Sequence, residues 1–238
     1  EKFLIQGGIP LNGEVTPAGN KNAALPMLAA TLLSEEAIIL HNVPQIRDVQ
    51  DMRKLLESMG ADVVDLGETS WQITAKALTP LDLDIELSRR IRASILLAGP
   101  ITARCGELRL PPPGGDVIGR RRLDTHFLAL EALGAEVRYD RILEFNANGL
   151  KGANILFDEA SVTATENAVM AAVLAKGKTI IRNAASEPHV QELCHLLNSL
   201  GAKIEEIGSN TLHIEGVPSL QGGEFTIGAD YLEVISFV

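Results

Sequence analysis

Amphipathic helices that end at a glycine recur three times along the chain. The segments LLESMGA, EALGA and LLNSLGA reach Gly60, Gly134 and Gly201, about 70 residues apart, which is the signature of an internal repeat. Glycine takes the left-handed position after a helix without a Cβ penalty and is therefore a stop signal. After each glycine, apolar and polar residues alternate through two short segments, as in half-buried strands. The pattern predicts three copies of a helix followed by a strand pair.

The region before each amphipathic helix also recurs. Residues 29–44 (AATLLSEEAIILHNVP) match residues 171–186 (AAVLAKGKTIIRNAAS), and the middle copy is looser. The first helix of each copy is apolar nearly all round, as buried helices are. One unit is therefore predicted to run strand, helix, strand, helix, strand, strand, with the helices inside and the sheets outside. The alternative is an ordinary doubly wound sheet, but GxGxxG is absent and the strand pairs look antiparallel.

These units predict an α/β fold with a pseudo-threefold repeat, one complete domain and the beginning of a second. The final segment, FTIGADYLEVISFV, begins like a fourth unit and stops inside a helix. We therefore expect the sequence to be part of a longer chain. The predicted boundaries are a first domain at 22–229, repeats at about 22–75, 76–149 and 150–229, and parts of a truncated second domain at 1–21 and 230–238.

Composition and charge narrow the class of protein. Hydrophobic residues make up 46% of the 238 and charged residues 22%, which is typical of globular proteins. No apolar run approaches the ~18 residues that cross a membrane, and no secretion signal is evident. Cys105 and Cys194 lack the number and spacing of a disulfide framework or metal site. We therefore expect a cytoplasmic protein that binds no metal. The formal charge of −10 disfavours binding to nucleic acid or to a membrane surface.

Arginines are nevertheless concentrated between Arg89 and Arg122, which suggests a small anionic ligand, and the alternative is a solvated basic face. Gly19-Asn20-Lys21-Asn22 precedes the first buried helix, where lysine and free backbone N–H groups would suit an anion. The alternative is a plain N-cap with an exposed lysine. The loop at 111–116 (PPPGGD) combines stiff prolines with flexible glycines, as a lid or a plain surface loop would.

Several ordered motifs make the chain similar to the UDP-N-acetylglucosamine enolpyruvyl transferases from end to end. They are GEVTPAGNKNAALPMLAATLL, IRAS at 91–94, PGGDVIGRRRLDTHFLALEALGA, FDEASVTATENAVMAAVLA and NAASEP at 183–188. The resemblance implies the inside-out α/β barrel of these enzymes, with the active site between two domains. It also implies transfer of the enolpyruvyl group of phosphoenolpyruvate to the 3′-hydroxyl of UDP-N-acetylglucosamine, with release of phosphate. This is the first committed step of peptidoglycan synthesis, and no cofactor is implied.

The resemblance further implies roles for individual residues. Lys21 and Arg121 would hold phosphoenolpyruvate, and Asn22 and Arg92 would contact the sugar and phosphoenolpyruvate side. The remaining contacts are, for the uridine, Arg121, Leu123, Asp124 and Thr125; for the uracil and diphosphate, Ser161, Val162 and Thr163; and for the cleft wall, Glu187 and Asp230.

Asp116 occupies the loop position at which the family usually has a cysteine. That cysteine protonates phosphoenolpyruvate or aids product release, and it is alkylated by the antibiotic fosfomycin. With Lys21 and Arg121, Asp116 is the third residue expected to be catalytic. A carboxylate is a poorer soft nucleophile than a thiolate, so fosfomycin resistance is expected.

Four further residues depart from the family pattern, and two alternatives stay open. Arg122 stands where proline is usual, Thr163 where glycine is common, Glu159 where a diphosphate-facing lysine is common and Tyr231 where arginine is common. One alternative is a non-catalytic UDP-sugar-binding homologue. The other is the shikimate-pathway sister enzyme, which usually shows GSKS rather than GNKN. Because the family's second half supplies further catalytic groups, the 238-residue chain is expected to be inactive alone.

Overall fold

The computed structural model describes residues 2–8, 10, 12–67, 69–80, 83–114 and 122–237. Within these ranges the chain forms three successive α/β units. The first contains α1 (Lys21–Ala30), β1 (Ile38–His41), α2 (Arg47–Ser58), β2 (Asp62–Gly67) and β3 (Ser70–Thr74). The middle unit contains α3 (Ile85–Arg90), α4 (Ala98–Cys105), β4 (Glu107–Leu110), α5 (Asp124–Ala132), β5 (Glu136–Tyr139) and β6 (Leu143–Asn146). The third contains β7 (Asn154–Leu156), α6 (Val162–Ala172), β8 (Lys178–Arg182), α7 (Pro188–Ser199), β9 (Lys203–Glu205) and β10 (Thr211–Glu215), and is followed by β11 (Gly223–Thr226) and α8 (Tyr231–Ser236).

Each unit builds its own sheet. In the third unit the strand order is β7-β8-β10-β9, with β7 parallel to β8 and the other pairs antiparallel. The first sheet, β11-β1-β3-β2, has the same pattern, and the described part of the middle unit gives the antiparallel sheet β4-β6-β5. The predicted α/β fold with a threefold repeat is therefore confirmed, and the doubly wound alternative is wrong.

The strand β11 corrects the prediction of a fourth unit. It forms where expected, but it pairs in parallel with β1, from Ile38 opposite Gly223 to His41 opposite Thr226. It thus supplies the edge strand of the first unit, and pairing covers an edge of β1 that would otherwise be open. The two ends of the repeat region also meet, because the Asn20 N–H donates to the Gly228 carbonyl at 2.9 Å.

The helices α1, α4 and α6 form the centre of the fold. The stretches Ala23–Ala30 and Ala164–Ala172 are buried throughout, as the apolar pattern predicts. α4 packs against α6, and a Cβ atom on Gly99 would lie only 2.4 Å from the backbone oxygen of Asn167, so this close contact requires glycine. No helix within the described ranges has the length and apolar composition needed to cross a membrane.

The first helix of the middle unit is less regular than its sequence predicts. The segment IRASILLAGPI was expected to be one buried helix, but Arg92–Leu97 forms a 3₁₀ helix and α4 begins only at Ala98. Pro100 has no N–H to bond the carbonyl four residues earlier, at Leu96. The proline is therefore placed in the first turn of a new helix, where a missing donor is tolerated.

Two asparagines show why the first and third units resemble each other. Asn42 and Asn183 both have φ of 56°, a left-handed conformation that asparagine adopts more readily than most residues. The Asn42 side chain donates to the Ile227 carbonyl at 2.9 Å, and the Asn183 side chain donates to the Phe157 carbonyl at 3.1 Å. Each acceptor lies just beyond the parallel edge strand, so each asparagine ties that strand to its neighbour.

Replacement of this asparagine should destabilise the fold. Asn183→Ala removes the hydrogen bond to Phe157 and forces alanine into a left-handed conformation, so we expect a loss of roughly 1–3 kcal/mol in the free energy of unfolding. Urea denaturation measures the change. Asn148→Ala, at an exposed position without a positive φ, is the control. Equal stability of the two variants would contradict this role.

Candidate active site

A cavity of about 500 Å³ lies where the three units meet. Its lining includes residues from α1, from the 3₁₀ helix of the middle unit, from α6 and from the start of α7. Six residues that the sequence analysis predicted to bind substrate are among them: Lys21, Asn22, Arg92, Val162, Thr163 and Glu187. Lys21 and Glu187, which are 166 positions apart in the sequence, thus line the same cavity.

Lys21 is held at the cavity by an ion pair. Its Nζ lies 3.1 Å from Asp48 Oδ2, and both side chains are 43% exposed, so an anion in the cavity would compete with Asp48 for the ammonium group. The prediction of free N–H groups at this helix end is wrong in part. The Asn20 side chain caps α1 and accepts from the N–H groups of Asn22 (2.8 Å) and Ala23 (3.2 Å).

Pro26 interrupts the hydrogen bonding of α1 at the wall of the cavity. Proline has no N–H, so Pro26 cannot complete the helical hydrogen bond to the carbonyl of Asn22 four residues earlier. Both residues line the cavity. The carbonyl of Asn22 is therefore left without its ordinary helical partner beside the predicted substrate position.

Other predicted residues are absent from the cavity lining. Among the described residues, the lining does not include Leu123, Asp124, Thr125, Ser161 or Asp230. Asp116 and Arg121, two of the three residues predicted to be catalytic, lie outside the described residues.

The described residues of the segment predicted to grip the uridine form an ionic network. The Arg122 Nε donates to both carboxylate oxygens of Asp124, at 2.9 and 2.8 Å, and its Nη2 donates to Asp158 at 3.0 Å. The Thr125 hydroxyl lies 3.3 Å from Asp158 and 3.5 Å from Glu159. The unusual Arg122 therefore has acidic partners within this chain. The Arg92 Nη2 donates to the Arg122 carbonyl at 3.1 Å, which links this network to the cavity.

Ser161 and Asp230 act as helix caps. The Ser161 hydroxyl accepts from the Ala164 N–H at the start of α6, and the Asp230 carboxylate accepts from the Leu232 N–H at 2.9 Å at the start of α8. The following residue, Tyr231, reaches the cavity wall through His189. Its hydroxyl lies 3.2 Å from the His189 Nδ1, and the two rings are stacked with centroids 6.4 Å apart. The unusual tyrosine thus connects α8 to a cavity-lining residue.

Glu166 is one of the cavity-lining residues that the sequence analysis did not predict. Its side chain is fully buried on α6, and its Oε1 has no hydrogen-bond partner within the part of the chain that the structure describes. Burial, with a smaller contribution from the negative charge of Glu187, raises the pKa of Glu166 well above its ordinary value of 4.5. A glutamate in a helix that the sequence predicts to be buried was the available signal, because buried glutamates are rare. Within the described residues, no group of three or more His, Cys, Asp or Glu side chains could hold a metal ion.

The stability of the protein should depend on the protonation of Glu166. Because its pKa is higher in the folded state, the stabilising effect of this proton is complete below pH 4.5 and is lost as the pH rises towards the folded-state pKa. We expect Glu166→Gln to gain stability relative to the parent as the pH is raised. Within that window, the gain in the free energy of unfolding should approach about 1.4 kcal/mol for each pH unit.

Urea denaturation between pH 4 and pH 8 (roughly the range in which such a buried acid titrates) measures this difference. Glu131→Gln, at an exposed position on α5, is the matched control and should show no such trend. A stability difference between Glu166→Gln and the parent that stays constant with pH would refute the assignment.

Comparison with known proteins supplies the family. The family model of EPSP synthase (3-phosphoshikimate 1-carboxyvinyltransferase) matches residues 5–238. The UDP-N-acetylglucosamine 1-carboxyvinyltransferase of Treponema denticola is 56% identical over 100% of this chain and 56% of its own length. The enzyme of the same name from Bradyrhizobium diazoefficiens is 55% identical over 100% of this chain and 55% of its own length. The chain therefore spans about half the length of the curated relatives it matches.

Solved structures agree on the fold. The enolpyruvyl transferase NikO from Streptomyces tendae superposes with a TM-score of 0.85 at 22% identity, covering 98% of this chain and 56% of that one. EPSP synthase from Acinetobacter baumannii superposes with a TM-score of 0.75 at 17% identity, covering 94% of this chain and 52% of that one. The curated relatives are more than 50% identical to this chain and are named UDP-N-acetylglucosamine 1-carboxyvinyltransferase. The family match, over residues 5–238, shows that the chain belongs to the EPSP synthase family.

Proposed function

We propose that the protein containing this chain transfers the enolpyruvyl group of phosphoenolpyruvate to the 3′-hydroxyl of UDP-N-acetylglucosamine and releases phosphate. The observation that carries the proposal is the cavity that gathers Lys21, Asn22 and Arg92 with Val162 and Thr163 from different units. Relatives at 49–56% identity bear the name of this activity. Because the chain spans about half of their length, the activity is proposed for the full-length protein.

The chemistry requires charge neutralisation and three proton transfers. The sugar oxygen attacks C2 of phosphoenolpyruvate and loses its proton, while C3 gains one, giving a tetrahedral intermediate. C3 then loses a proton as phosphate leaves, which restores the double bond. Lys21 and Arg92 are proposed to offset the negative charge of phosphoenolpyruvate, with Arg121 as a third cation. Asp116 is proposed to exchange the proton at C3.

The remaining sites of contact are proposals of the same kind. Leu123, Asp124 and Thr125 are proposed to approach the uridine, and Ser161 with Val162 and Thr163 the diphosphate. The ionic network around Arg122 supports a role for this region as a preorganised wall, because Asp124 is already held in place.

The proposed transferase activity is favoured over the shikimate-pathway activity and over a non-catalytic homologue. The solved shikimate-pathway enzyme is only 17% identical to this chain, whereas the Treponema denticola relative is 56% identical. A non-catalytic homologue was suggested by Glu159, Arg122 and Tyr231, but Arg122 and Tyr231 have specific partners in Asp158 and His189.

We also propose that residues 22–229 form one domain and that 1–21 and 230–238 belong to a second. Residues 2–8 and 12–17 contain no helix or strand, and apolar side chains are exposed at Phe3, Leu4 and Ile5. On α8 and just after it, Ile235 and Phe237 are exposed as well. Such residues are expected where further chain packs against them.

Phosphate release by the full-length protein tests the function. It should require both phosphoenolpyruvate and UDP-N-acetylglucosamine, and shikimate 3-phosphate should not replace the sugar nucleotide.

Lys21→Ala should lower kcat/KM by roughly ten- to a hundredfold, because a charge-assisted contact to the anion is lost. Arg121→Ala should act similarly.

The control is Lys151→Ala, which makes the same charge change at an exposed position outside the cavity. Phosphate release with shikimate 3-phosphate, or none with the sugar nucleotide, would refute the proposed function. A Lys21→Ala variant with the kinetics of the control would remove Lys21 from the site.

Asp116 should determine the response to fosfomycin. The full-length enzyme should turn over without time-dependent inactivation by fosfomycin, because a carboxylate attacks this epoxide poorly. Asp116→Cys should remain active and become sensitive, whereas Asp116→Asn should lose most activity if the carboxyl group exchanges the proton. A covalent adduct on the unmutated enzyme, detected by mass spectrometry, would contradict this expectation.

A further inference from the structure

A buried histidine on α5 is joined to the cavity wall by hydrogen bonds. His126 is 1% exposed, and its Nε2 lies 3.1 Å from the hydroxyl oxygen of Thr163, a residue of the cavity lining. On its other side, its Nδ1 lies 2.9 Å from the Nδ2 of Asn167. The imidazole thus connects two residues of α6 that are four positions apart and therefore on one face of that helix.

The orientation of the Asn167 amide determines which nitrogen of the histidine carries the proton. The Gly99 N–H donates to the Asn167 Oδ1 at 2.7 Å, so that atom must be the oxygen. The Nδ2 therefore donates, to the Ile95 carbonyl at 2.8 Å and to His126. Because the Nδ1 of His126 accepts this hydrogen bond, it has no proton.

The histidine is neutral, and its proton is on Nε2. Burial is the main cause that lowers the pKa of His126 to about 3, with the charge of Arg92 acting in the same direction and that of Asp124 against it. A neutral ring with an unprotonated Nδ1 has its single N–H at Nε2. That N–H donates to the Thr163 hydroxyl oxygen.

The Thr163 hydroxyl then has its own hydrogen available. One lone pair accepts from His126, and within the described residues no acceptor inside the protein takes the hydroxyl hydrogen. The side chain is half-buried at the first turn of α6 and lines the cavity. An O–H group fixed in this way presents a donor, which suits an oxyanion, and the positive end of an 11-residue helix favours the same charge.

We propose that His126 is a positioning residue, which holds the Thr163 hydroxyl as a hydrogen-bond donor towards a phosphate oxygen of the bound sugar nucleotide. This inference rests on the proposed function for the identity of the ligand. It explains how a threonine can serve at a position where many relatives have glycine, since an undirected hydroxyl could equally present its lone pairs to the anion and repel it.

The first experiment determines the histidine tautomer. Nitrogen-15 NMR of the full-length protein, labelled at histidine, should show a neutral His126 protonated at Nε2 throughout roughly pH 5–8, the range in which ordinary histidines titrate. Asn167→Asp, which replaces the amide donor with an acceptor, should alter the Nδ1 signal. Protonation at Nδ1, or an imidazolium in this range, would overturn the proposal.

The second experiment measures affinity for UDP-N-acetylglucosamine by calorimetry. Thr163→Val should weaken binding roughly ten- to a hundredfold, the range for a lost hydrogen bond to a charged group, and Thr163→Ser should bind like the parent. His126→Met should weaken binding in the parent but should cause no further loss in the Thr163→Val background, because the effect acts through the hydroxyl.

The outcomes separate this inference from the function on which it rests. If the parent binds the sugar nucleotide and Thr163→Val binds equally well, the hydroxyl contact is refuted while the proposed function stands. Additive losses in the double variant would refute the positioning role of His126. If the parent does not bind the nucleotide, the proposed function and this ligand assignment fail together. If the His126→Met variant does not fold, the proposal is tested by the tautomer measurement and by the comparison of Thr163→Val with Thr163→Ser.

Discussion

The close contact between α4 and α6 is the constraint on which much of the structure depends. The absence of a side chain at Gly99 lets the backbone of α4 approach Asn167, with 2.7 Å between the Gly99 nitrogen and the Asn167 Oδ1. The hydrogen bond compensates for burying two polar groups, which would otherwise be costly. It also fixes the amide orientation that determines the tautomer of His126. A packing requirement in the core thus reaches the cavity wall through a short chain of hydrogen bonds.

The cavity combines cations with carboxylic acids, and this combination limits what it can bind. Lys21 is already paired with Asp48, while Glu166 is buried without a partner for its Oε1. Burial favours the neutral form of Glu166, so this acid adds little negative charge to a site proposed to bind anions. A protonated Glu166 is compatible with a polyanionic ligand, whereas an ionised one would oppose it.

The three units of the repeat differ in the residue that follows the strands β1, β4 and β8. In the first and third units, Asn42 and Asn183 follow the strands β1 and β8 and tie down an edge strand. In the middle unit the strand β4 is followed by Pro111 instead of an asparagine. The segment after this proline contains Asp116, which is proposed to be catalytic. The middle unit therefore lacks the asparagine that ties down an edge strand in the other two units.

The sequence by itself determined the local structure of this protein and the elements of its repeat. Gly60, Gly134 and Gly201 have φ of 93°, 99° and 100°, as helix-ending glycines should, and alternating residues form the strands that follow. These features depend on backbone preference and periodicity, which act over a few residues. The resemblance to a family also identified six residues of the cavity wall.

Only the tertiary structure decided which distant groups meet. It placed β11 beside β1 rather than in a fourth unit, and used Asn20 to cap the α1 N–H groups that had been expected to bind an anion. It also buried Glu166 in the cavity wall and paired Asp124 with Arg122. These outcomes depend on the packing of units far apart in the chain. A hydrogen-bond donor or charge has no fixed partner until that packing determines what lies within about 3 Å of it.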